Sequence, residues 1–367
     1  MEVSFSLQDP TDPATTYLYE AIIAAVEGST RWRGMYAFAS RNGVDNLLSD
    51  TAMEGFLHAG GVAELIVGID AITNRATLER LQHFEGKHPS FKPRVFWNAF
   101  KGLFHPKLSL FDYADGRQTL IVGSGNLTPG GFRTNFEGYT VVRTDPGESV
   151  DLASLNAFMT RHAASIRSID NTALLEAAKN IIKVSKKTPA VPPPLVIPAP
   201  TPAAAMITVT GRVLVAQVPA AGGRWQQLHL NAAVMAEFFH VSDHKNQRVF
   251  LTPVDSTGNP SDEEARQVVF SERNRNYKIE ISQGRGKTYP TGTPPVIVFY
   301  ERQLRTFDYM LVMPGDAGYR ELIALSTSQP TVGRGHPRVI VNAAALQAAW
   351  PAAPLLTRSI APEPEAL

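Results

Sequence analysis

The chain has 367 residues, enough for two domains that each bury a core. It contains no cysteine, which excludes disulfides, thiolate zinc sites and a cysteine nucleophile, and is typical of a reducing compartment such as the cytoplasm. The formal net charge is +1, so binding to a polyanion has to come from local basic patches rather than from overall charge.

Helix-like and strand-like patterns alternate over residues 1–182. Helices are predicted at 16–28, 44–60, 73–86 and in one long stretch at about 150–183, and strands at 34–40 and 62–69. Four strand-like runs then follow between turn residues: PRVFWNAF, HPKLSLFDY, QTLIVGSGN and FEGYTVVRT. The pattern predicts an α/β domain in which helices flank a mixed sheet, with the aromatic residues of VFWNAF in its core.

A proline-rich segment at 183–206 separates this domain from the rest. Residues 189–207 carry no charge but contain seven prolines, which excludes a membrane helix and indicates a stiff linker. The amino terminus lacks the basic and apolar regions of a secretory signal, so we expect a cytoplasmic protein without membrane contact.

The second domain, predicted at 207–355, consists mainly of short strand-like runs, from ITVTGRVLVAQV to FDYMLVM and RELIALS. One helix is predicted within NAAVMAEFF at 231–239. This pattern is typical of an all-β barrel or sandwich, and residues 356–367 are predicted to be a frayed tail.

Polar residues with a defined spacing lie at the ends of two predicted strands. His105 and Lys107 are two residues apart in HPK, and Ser124 and Asn126 are two apart in GSGN. Residues i and i+2 of a strand share a face, so neighbouring strands would bring these four side chains together. A cation, two hydrogen-bond donors and an imidazole nucleophile suit a phosphodiester, and Gly123 and Gly125 would let its phosphate approach the backbone.

The ordered set HxKxxxxD and GSxN, with Glu137 on the next strand, resembles the signature of the phospholipase D superfamily. The matching positions are His105, Lys107, Asp112, Gly123, Ser124 and Asn126. One departure is the ten residues between Asp112 and Gly123, where the signature usually has six. Asp112 is a candidate catalytic residue by its place in the signature. It lies at an odd offset from His105, so on an unbroken strand it faces away, and this favours a structural over a catalytic role.

The resemblance implies a reaction that uses two histidines, one as nucleophile and one as general acid. This chain has a single HxK motif, so the second imidazole would come from a twin subunit, in a C2 homodimer whose two His105 side chains meet at the axis. Glu137 would then fix the tautomer of the imidazole. The expected phosphohistidine intermediate needs no metal or cofactor.

Two basic, amide-rich segments of the second domain point to DNA as the substrate: HVSDHKNQR at 240–248, and SERNRNYK at 271–278 continuing into QGRGKTY. The combination resembles metal-independent type IIS restriction endonucleases that carry a B3-like recognition pseudobarrel with two arms. Trp225, Leu228, Leu230, Phe238 and Phe239 would be its scaffold. The candidates for contact with double-stranded DNA are His244, Lys245, Asn246, Arg248, Arg273, Asn274, Arg275, Asn276, Lys278, Arg285 and Lys287.

Two other patterns carry no function. GRGKT lacks the first glycine of a P-loop, because Ile281 stands there, and His240 with His244 has no further ligand for a metal. Two alternatives to a sequence-specific endonuclease stay open: a lipid phosphodiesterase, and a DNA-binding nuclease subunit of a larger defence or repair assembly.

Overall fold

The computed structural model describes residues 1–98, 102–180, 211–220, 225–272, 275–333 and 335–357. The linker predicted at 183–206 lies outside the described residues, and so does the tail after residue 357. Among the described residues no helix is long and apolar enough to cross a bilayer.

The first half contains one mixed sheet of eight strands with helices packed against it, as the sequence predicts. In chain order the strands are β1 Glu2–Gln8, β2 Ser29–Tyr36, β3 Val62–Gly68, β4 Phe91–Phe96, β5 Lys107–Tyr113, β6 Gln118–Gly123, β7 Glu137–Arg143 and β8 Ile166–Arg167. Their order in the sheet is β1-β7-β6-β5-β2-β3-β4-β8, with β2, β3 and β4 parallel and the other pairs antiparallel.

In the described part of this half, six α-helices accompany the sheet: α1 Leu18–Val26, α2 Arg41–Leu48, α3 Thr51–His58, α4 Arg75–Lys87, α5 Ala153–Arg161 and α6 Asn171–Ala177. Short polar residues set where several of them begin, because each accepts a hydrogen bond from a backbone N–H of the first turn. Asp50 caps α3 in this way and so divides the predicted helix at 44–60 into two.

The prediction of one long helix at about 150–183 is wrong. The structure has α5 and α6 there, with a short 3₁₀ turn and β8 between them. Asp170 accepts a hydrogen bond from Ala173 N and begins α6 as a new helix. The two faces of the sheet are covered unequally: α1 to α4 pack on one face, while α5 covers part of the other around Met35 and Phe96.

The second half contains two sheets. The strands are β9 Arg212–Gln217, β10 Gln227–Leu230, β11 Arg248–Pro253, β12 Glu264–Gln267, β13 Val269–Ser271, β14 Asn276–Glu280, β15 Val296–Gln303, β16 Thr306–Val312 and β17 Arg338–Asn342. Six form a sheet in the order β12-β11-β16-β15-β9-β17, and three form a sheet in the order β10-β14-β13. The five predicted scaffold residues are all buried, in one apolar core.

The expectation of an all-β, B3-like second domain with one small helix is not confirmed. In the part of the second half that the structure describes, four helices accompany the sheets: α7 Ala232–Glu237, α8 Tyr319–Ser326, α9 Ala343–Ala349 and α10 Pro354–Thr357. RELIALS, predicted as a strand, lies in α8. Its two fully buried residues, Leu322 and Ser326, are four positions apart, the spacing of one helical face.

The two halves are packed together through a shared core that contains charged side chains. Phe250 and Leu304 of the second half belong to the main apolar core of the first. Arg305 Nη1 donates to Glu20 Oε1 at 2.6 Å, and Arg248 Nε donates to Asp50 Oδ2 at 3.3 Å, all four side chains being buried.

Candidate active site

The strand register gathers the predicted catalytic residues at one edge of the eight-stranded sheet. In the antiparallel pairs, Leu108 of β5 lies opposite Val122 of β6, and Gly123 of β6 lies opposite Tyr139 of β7. His105 precedes β5, Ser124 follows β6 and Glu137 begins β7, so these three positions come to the same end of the sheet.

His105 and Lys107 are in direct contact. Lys107 Nζ lies 3.0 Å from Nδ1 and 3.2 Å from Nε2 of the His105 ring, and it donates to the His105 carbonyl at 3.2 Å. Burial lowers the pKa of Lys107, an effect that the negative charge of Glu137 opposes. The imidazole itself is exposed and lies beside the positive charge of Lys107.

Phe38 joins His105 to Asn126, and sequence reasoning missed this role. The Phe38 and His105 rings pack edge to face with centroids 5.8 Å apart. The Phe38 backbone N–H donates to Asn126 Oδ1 at 3.2 Å, which orients the buried amide. The only signal in the sequence is an aromatic residue just beyond a buried strand, a feature too common to mark a site.

Ser124 and Glu137 form a second contact of the site. Ser124 Oγ donates to Glu137 Oε2 and accepts from Gly138 N at 3.1 Å. Asn135 Nδ2 donates to Glu137 Oε1 at 3.4 Å. Within the chain, therefore, Glu137 is bonded to Ser124 rather than to the imidazole of His105.

Asp112 lies away from this cluster, in agreement with its odd offset from His105. Its carboxylate accepts from Arg33 Nη2 at 2.9 and 3.2 Å and from Gln118 Nε2 at 2.7 Å. These contacts tie together three neighbouring strands and give Asp112 a structural role.

The glycines of the GSGN loop are explained by packing within the protein rather than by approach to a phosphate. A Cβ at Gly123 would lie 2.6 Å from the Gly138 carbonyl oxygen, and one at Gly125 would lie 2.5 Å from the Gly131 carbonyl oxygen. Both neighbours are backbone atoms that cannot turn aside, so the loop can close only with glycine at these positions.

The residues predicted for the first DNA-binding arm divide into two groups. Lys245 and Asn246 are exposed in a turn organised by Asp243, whose carboxylate accepts from the backbone N–H of Lys245 at 3.1 Å and from Asn246 Nδ2 at 2.6 Å. His244 packs against the rings of Phe270 and Tyr277. The prediction that Arg248 contacts DNA is wrong. Arg248 is 2% exposed and paired with Asp50 across the two halves, so it does not lie on the arm surface.

The second arm is partly outside the described residues, since Arg273 and Asn274 are not among them. Arg275 is exposed and adopts a positive φ of 48°. Asn276 and Lys278 lie on β14 and are half-buried. Arg285 and Lys287 are exposed beyond it, and Arg285 Nη2 lies 3.4 Å from Glu280 Oε1.

Among the described residues there is no group of three or more His, Asp or Glu side chains placed to hold a metal ion. His240, which has zinc-like spacing with His244, lies 2.8 Å from Glu301 Oε1 and 3.3 Å from Arg212 Nη1. These contacts make His240 part of a polar network inside the second half.

Comparison with known proteins gives partial structural similarity. No known sequence family and no curated protein matches the chain. NucT from Helicobacter pylori is 17% identical, with 46% of this chain and 99% of that chain covered and a TM-score of 0.32. Nuc from Salmonella typhimurium, a phospholipase D family member, is 15% identical, with coverages of 46% and 97% and a TM-score of 0.33. Yeast tyrosyl-DNA phosphodiesterase is 17% identical, with coverages of 48% and 42% and a TM-score of 0.31. Similarity at this level carries no information on what this chain binds or cleaves.

Proposed function

We propose that this protein is a homodimeric, sequence-specific DNA endonuclease that hydrolyses phosphodiesters through a covalent phosphohistidine on His105. The observation that carries the proposal is the cluster at the sheet edge. An exposed imidazole contacts Lys107, and Ser124 with the oriented amide of Asn126 lies at the end of the neighbouring strand. This is the set of groups that an attack on phosphorus requires.

In the proposed reaction His105 attacks phosphorus, a P–N bond forms and the bond to the leaving oxygen breaks. The leaving oxygen takes a proton from a second imidazole, which then accepts a proton from the water that hydrolyses the phosphohistidine. Lys107 and Asn126 stabilise the charge on the non-bridging oxygens, and Ser124 does so when its hydroxyl proton turns from Glu137 to the substrate. The nucleophile and these donors are all protein groups, so the scheme requires no metal.

The second imidazole would come from His105 of a second copy of the chain. An apolar surface next to the site supports such a dimer: Val3, Phe5 and Leu7 of the edge strand β1 are 64%, 67% and 71% exposed. Phe5 Cζ and Leu7 Cδ2 lie within 3.7 Å of the position a Cβ would take at Gly138, whose N–H bonds to Ser124. An apolar row that borders a catalytic cluster is the kind of surface a symmetric interface covers.

DNA is the proposed substrate because exposed basic and amide side chains project from the second half. Lys245, Asn246, Arg275, Arg285 and Lys287 are all exposed. Groups of this kind contact phosphates and base edges. The half-buried Asn276 and Lys278 are part of the proposed surface, whereas Arg248 is not.

The activity is tested by incubating a random-sequence DNA library with the full chain in excess EDTA and mapping the products. We expect cleavage at defined positions, and a loss of about five decades in rate with His105→Ala. An alkaline quench with end-labelled DNA should trap a protein–phosphate adduct that His105→Ala lacks. Cleavage that survives in His105→Ala would refute the assignment.

A phospholipid substrate is the second candidate, because an exposed apolar row beside the site also suits a lipid surface. Vesicles of phosphatidylcholine with phosphatidylglycerol, assayed for headgroup release, distinguish the two. Headgroup release without DNA cleavage would favour the lipid enzyme. DNA binding without cleavage would favour a subunit of a larger assembly.

The dimer is tested by light scattering and by subunit mixing. We expect a mass of two chains, and a monomer when Phe5→Asp and Leu7→Asp are combined. Excess His105→Ala chain mixed with the unmodified chain should suppress cleavage, because a heterodimer holds only one of the two imidazoles. Full activity of a proven monomer would contradict the scheme.

A further inference from the structure

A single π-helical turn at Gly130–Thr134 packs directly on Asn126. Thr128 N donates to the Asn126 carbonyl at 2.8 Å, and Gly131 N donates to Thr128 Oγ1 at 3.1 Å. A Cβ at Gly131 would lie 2.3 Å from both the backbone N and the carbonyl oxygen of Asn126. The turn and the loop that carries Asn126 therefore hold one another in place.

The other end of the same turn reaches Glu137. Asn135 N donates to the Gly130 carbonyl at 3.0 Å and closes the turn. Its side chain donates to Glu137 Oε1 at 3.4 Å, on the carboxylate that accepts from Ser124. The turn and Asn135, the residue that closes it, thus contact two separate parts of the candidate active site. Such π turns are frequent at functional sites.

The second half of the chain holds this turn through Arg133. The Arg133 side chain is 3% exposed and pairs with Glu263 Oε1. Its guanidinium lies over the Phe250 ring, 4.2 Å from the centroid. Glu263 also accepts from Asn46 Nδ2 at 2.9 Å, so its carboxylate is fixed from two sides. An ion pair between a buried arginine and a partly exposed glutamate, together with a cation–π contact, makes this a stiff connection.

We propose that Arg133 is a positioning residue. Its ion pair with Glu263 and its cation–π contact with Phe250, both in the second half, hold the π turn in place, and the turn keeps Asn126 and Glu137 in the geometry for catalysis. This rests on the proposed function. Phe250 lies on β11, directly after the 240–248 segment proposed to contact DNA. The surface proposed to bind DNA and the strand whose Phe250 packs on Arg133 are thus one continuous piece of chain.

Glu263→Gln tests this, with Asp262→Asn as the matched control. The first variant removes the charge that holds Arg133 but keeps a carbonyl acceptor for Asn46. The second removes the neighbouring contact between the halves, in which Arg41 Nη2 lies 3.1 Å from an exposed Asp262 Oδ2. Hydrogen exchange over residues 124–137, single-turnover cleavage rates and DNA affinity are compared in the full chain.

For Glu263→Gln we expect faster amide exchange confined to residues 124–137, and a cleavage rate reduced about 10- to 100-fold at unchanged DNA affinity. Asp262→Asn should leave all three unchanged. Arg133→Lys keeps the charge but cannot lie flat over Phe250. Its amide exchange over residues 124–137 and its cleavage rate should lie between those of Glu263→Gln and Asp262→Asn. This variant also replaces Glu263→Gln as the test if the latter does not fold.

Unchanged exchange over residues 124–137 in Glu263→Gln overturns the proposal, and so does faster exchange without a slower cleavage rate. A uniform rise in exchange over the whole chain would mean a general structural role and overturns it as well. If the unmodified chain cleaves no DNA, the proposed function fails, and exchange over residues 124–137 alone then decides whether Arg133 positions the turn.

Discussion

At the scale of the residue, the structure separates the aspartate of the HxKxxxxD motif from its histidine and lysine. Asp112 accepts hydrogen bonds from Arg33 and Gln118, on the strands to either side of it, and is about one-quarter exposed. Lys107 begins the same strand and contacts His105, which lies two residues before it. A short motif can therefore combine a chemical pair with a residue that fastens the strand carrying it.

Asp112→Ala is expected to cost stability and little else. The loss of its hydrogen bonds should lower the free energy of unfolding by about 1–2 kcal/mol, while the cleavage rate per folded molecule falls less than about threefold. Urea titration and single-turnover rates measure the two effects separately. A loss of rate above about a hundredfold at full stability would show that Asp112 belongs to the chemistry.

His88 should make stability depend on pH. Its side chain is 3% exposed and its ring lies 4.9 Å from that of His58. Burial lowers its pKa from the usual 6.5, and the charges of Lys87 and His58 lower it further. The unfolded chain thus takes up a proton at a higher pH than the fold does. The free energy of unfolding falls as pH drops below about 6.5, by no more than about 1.4 kcal/mol per pH unit for one proton.

Urea titrations at pH 7.5 and 5.5 measure this effect. His88→Gln should flatten the dependence, whereas His83→Gln, at an exposed position of α4, the helix that ends just before His88, should leave the slope of the unmodified chain. Equal slopes for all three proteins would exclude His88 as the source.

At the scale of the element, the π turn at Gly130–Thr134 depends on a glycine that no side chain can replace. The Cβ of Gly131→Ala would lie 2.3 Å from two backbone atoms of Asn126, which cannot rotate away. We expect a loss of about 1–3 kcal/mol in unfolding free energy together with a strong loss of cleavage. Gly55→Ala, in open space on α3, should stabilise by about 0.5–1 kcal/mol. Thermal unfolding and cleavage assays of both variants check this, and a fully active, stable Gly131→Ala would contradict the packing.

The elements also show what local sequence can and cannot predict. The run HPKLSLFDY begins with a polar pair and QTLIVGSGN ends in one, and both runs were correctly predicted as strands. The strands are shorter than predicted, because β5 begins at Lys107 and β6 ends at Gly123, so His105 and Ser124 lie just outside them. The prediction of a strand at RELIALS was wrong because a run of seven residues fits both the helical period of 3.6 and the strand period of 2, and only its packing decides between them. The strand at MEVSFSLQ was not predicted, because its apolar residues face outward on an edge strand and do not pack in the core.

At the scale of the whole molecule, contacts between distant parts of the chain decide the roles that the sequence assigned incorrectly. Arg248 reads as part of a basic arm, but it pairs with Asp50, 198 residues away, and its backbone N–H donates to Glu20 at 3.0 Å. No local pattern contains such a contact. Glu20 in turn accepts from Arg305, whose guanidinium lies over the Tyr17 ring. The two halves therefore share one buried polar network.

This network should make the two halves unfold together and make the loss of one charge costly. Arg305→Leu leaves the buried carboxylate of Glu20 without its guanidinium partner, and we expect the free energy of unfolding to fall by about 3–5 kcal/mol. Arg41→Ala breaks only the exposed contact with Asp262 and should cost less than about 1 kcal/mol. Calorimetry should show a single transition for the unmodified chain, at a much lower temperature in Arg305→Leu. Two separate transitions in the unmodified chain, or equal costs for the two variants, would mean that the buried pairs do not join the halves.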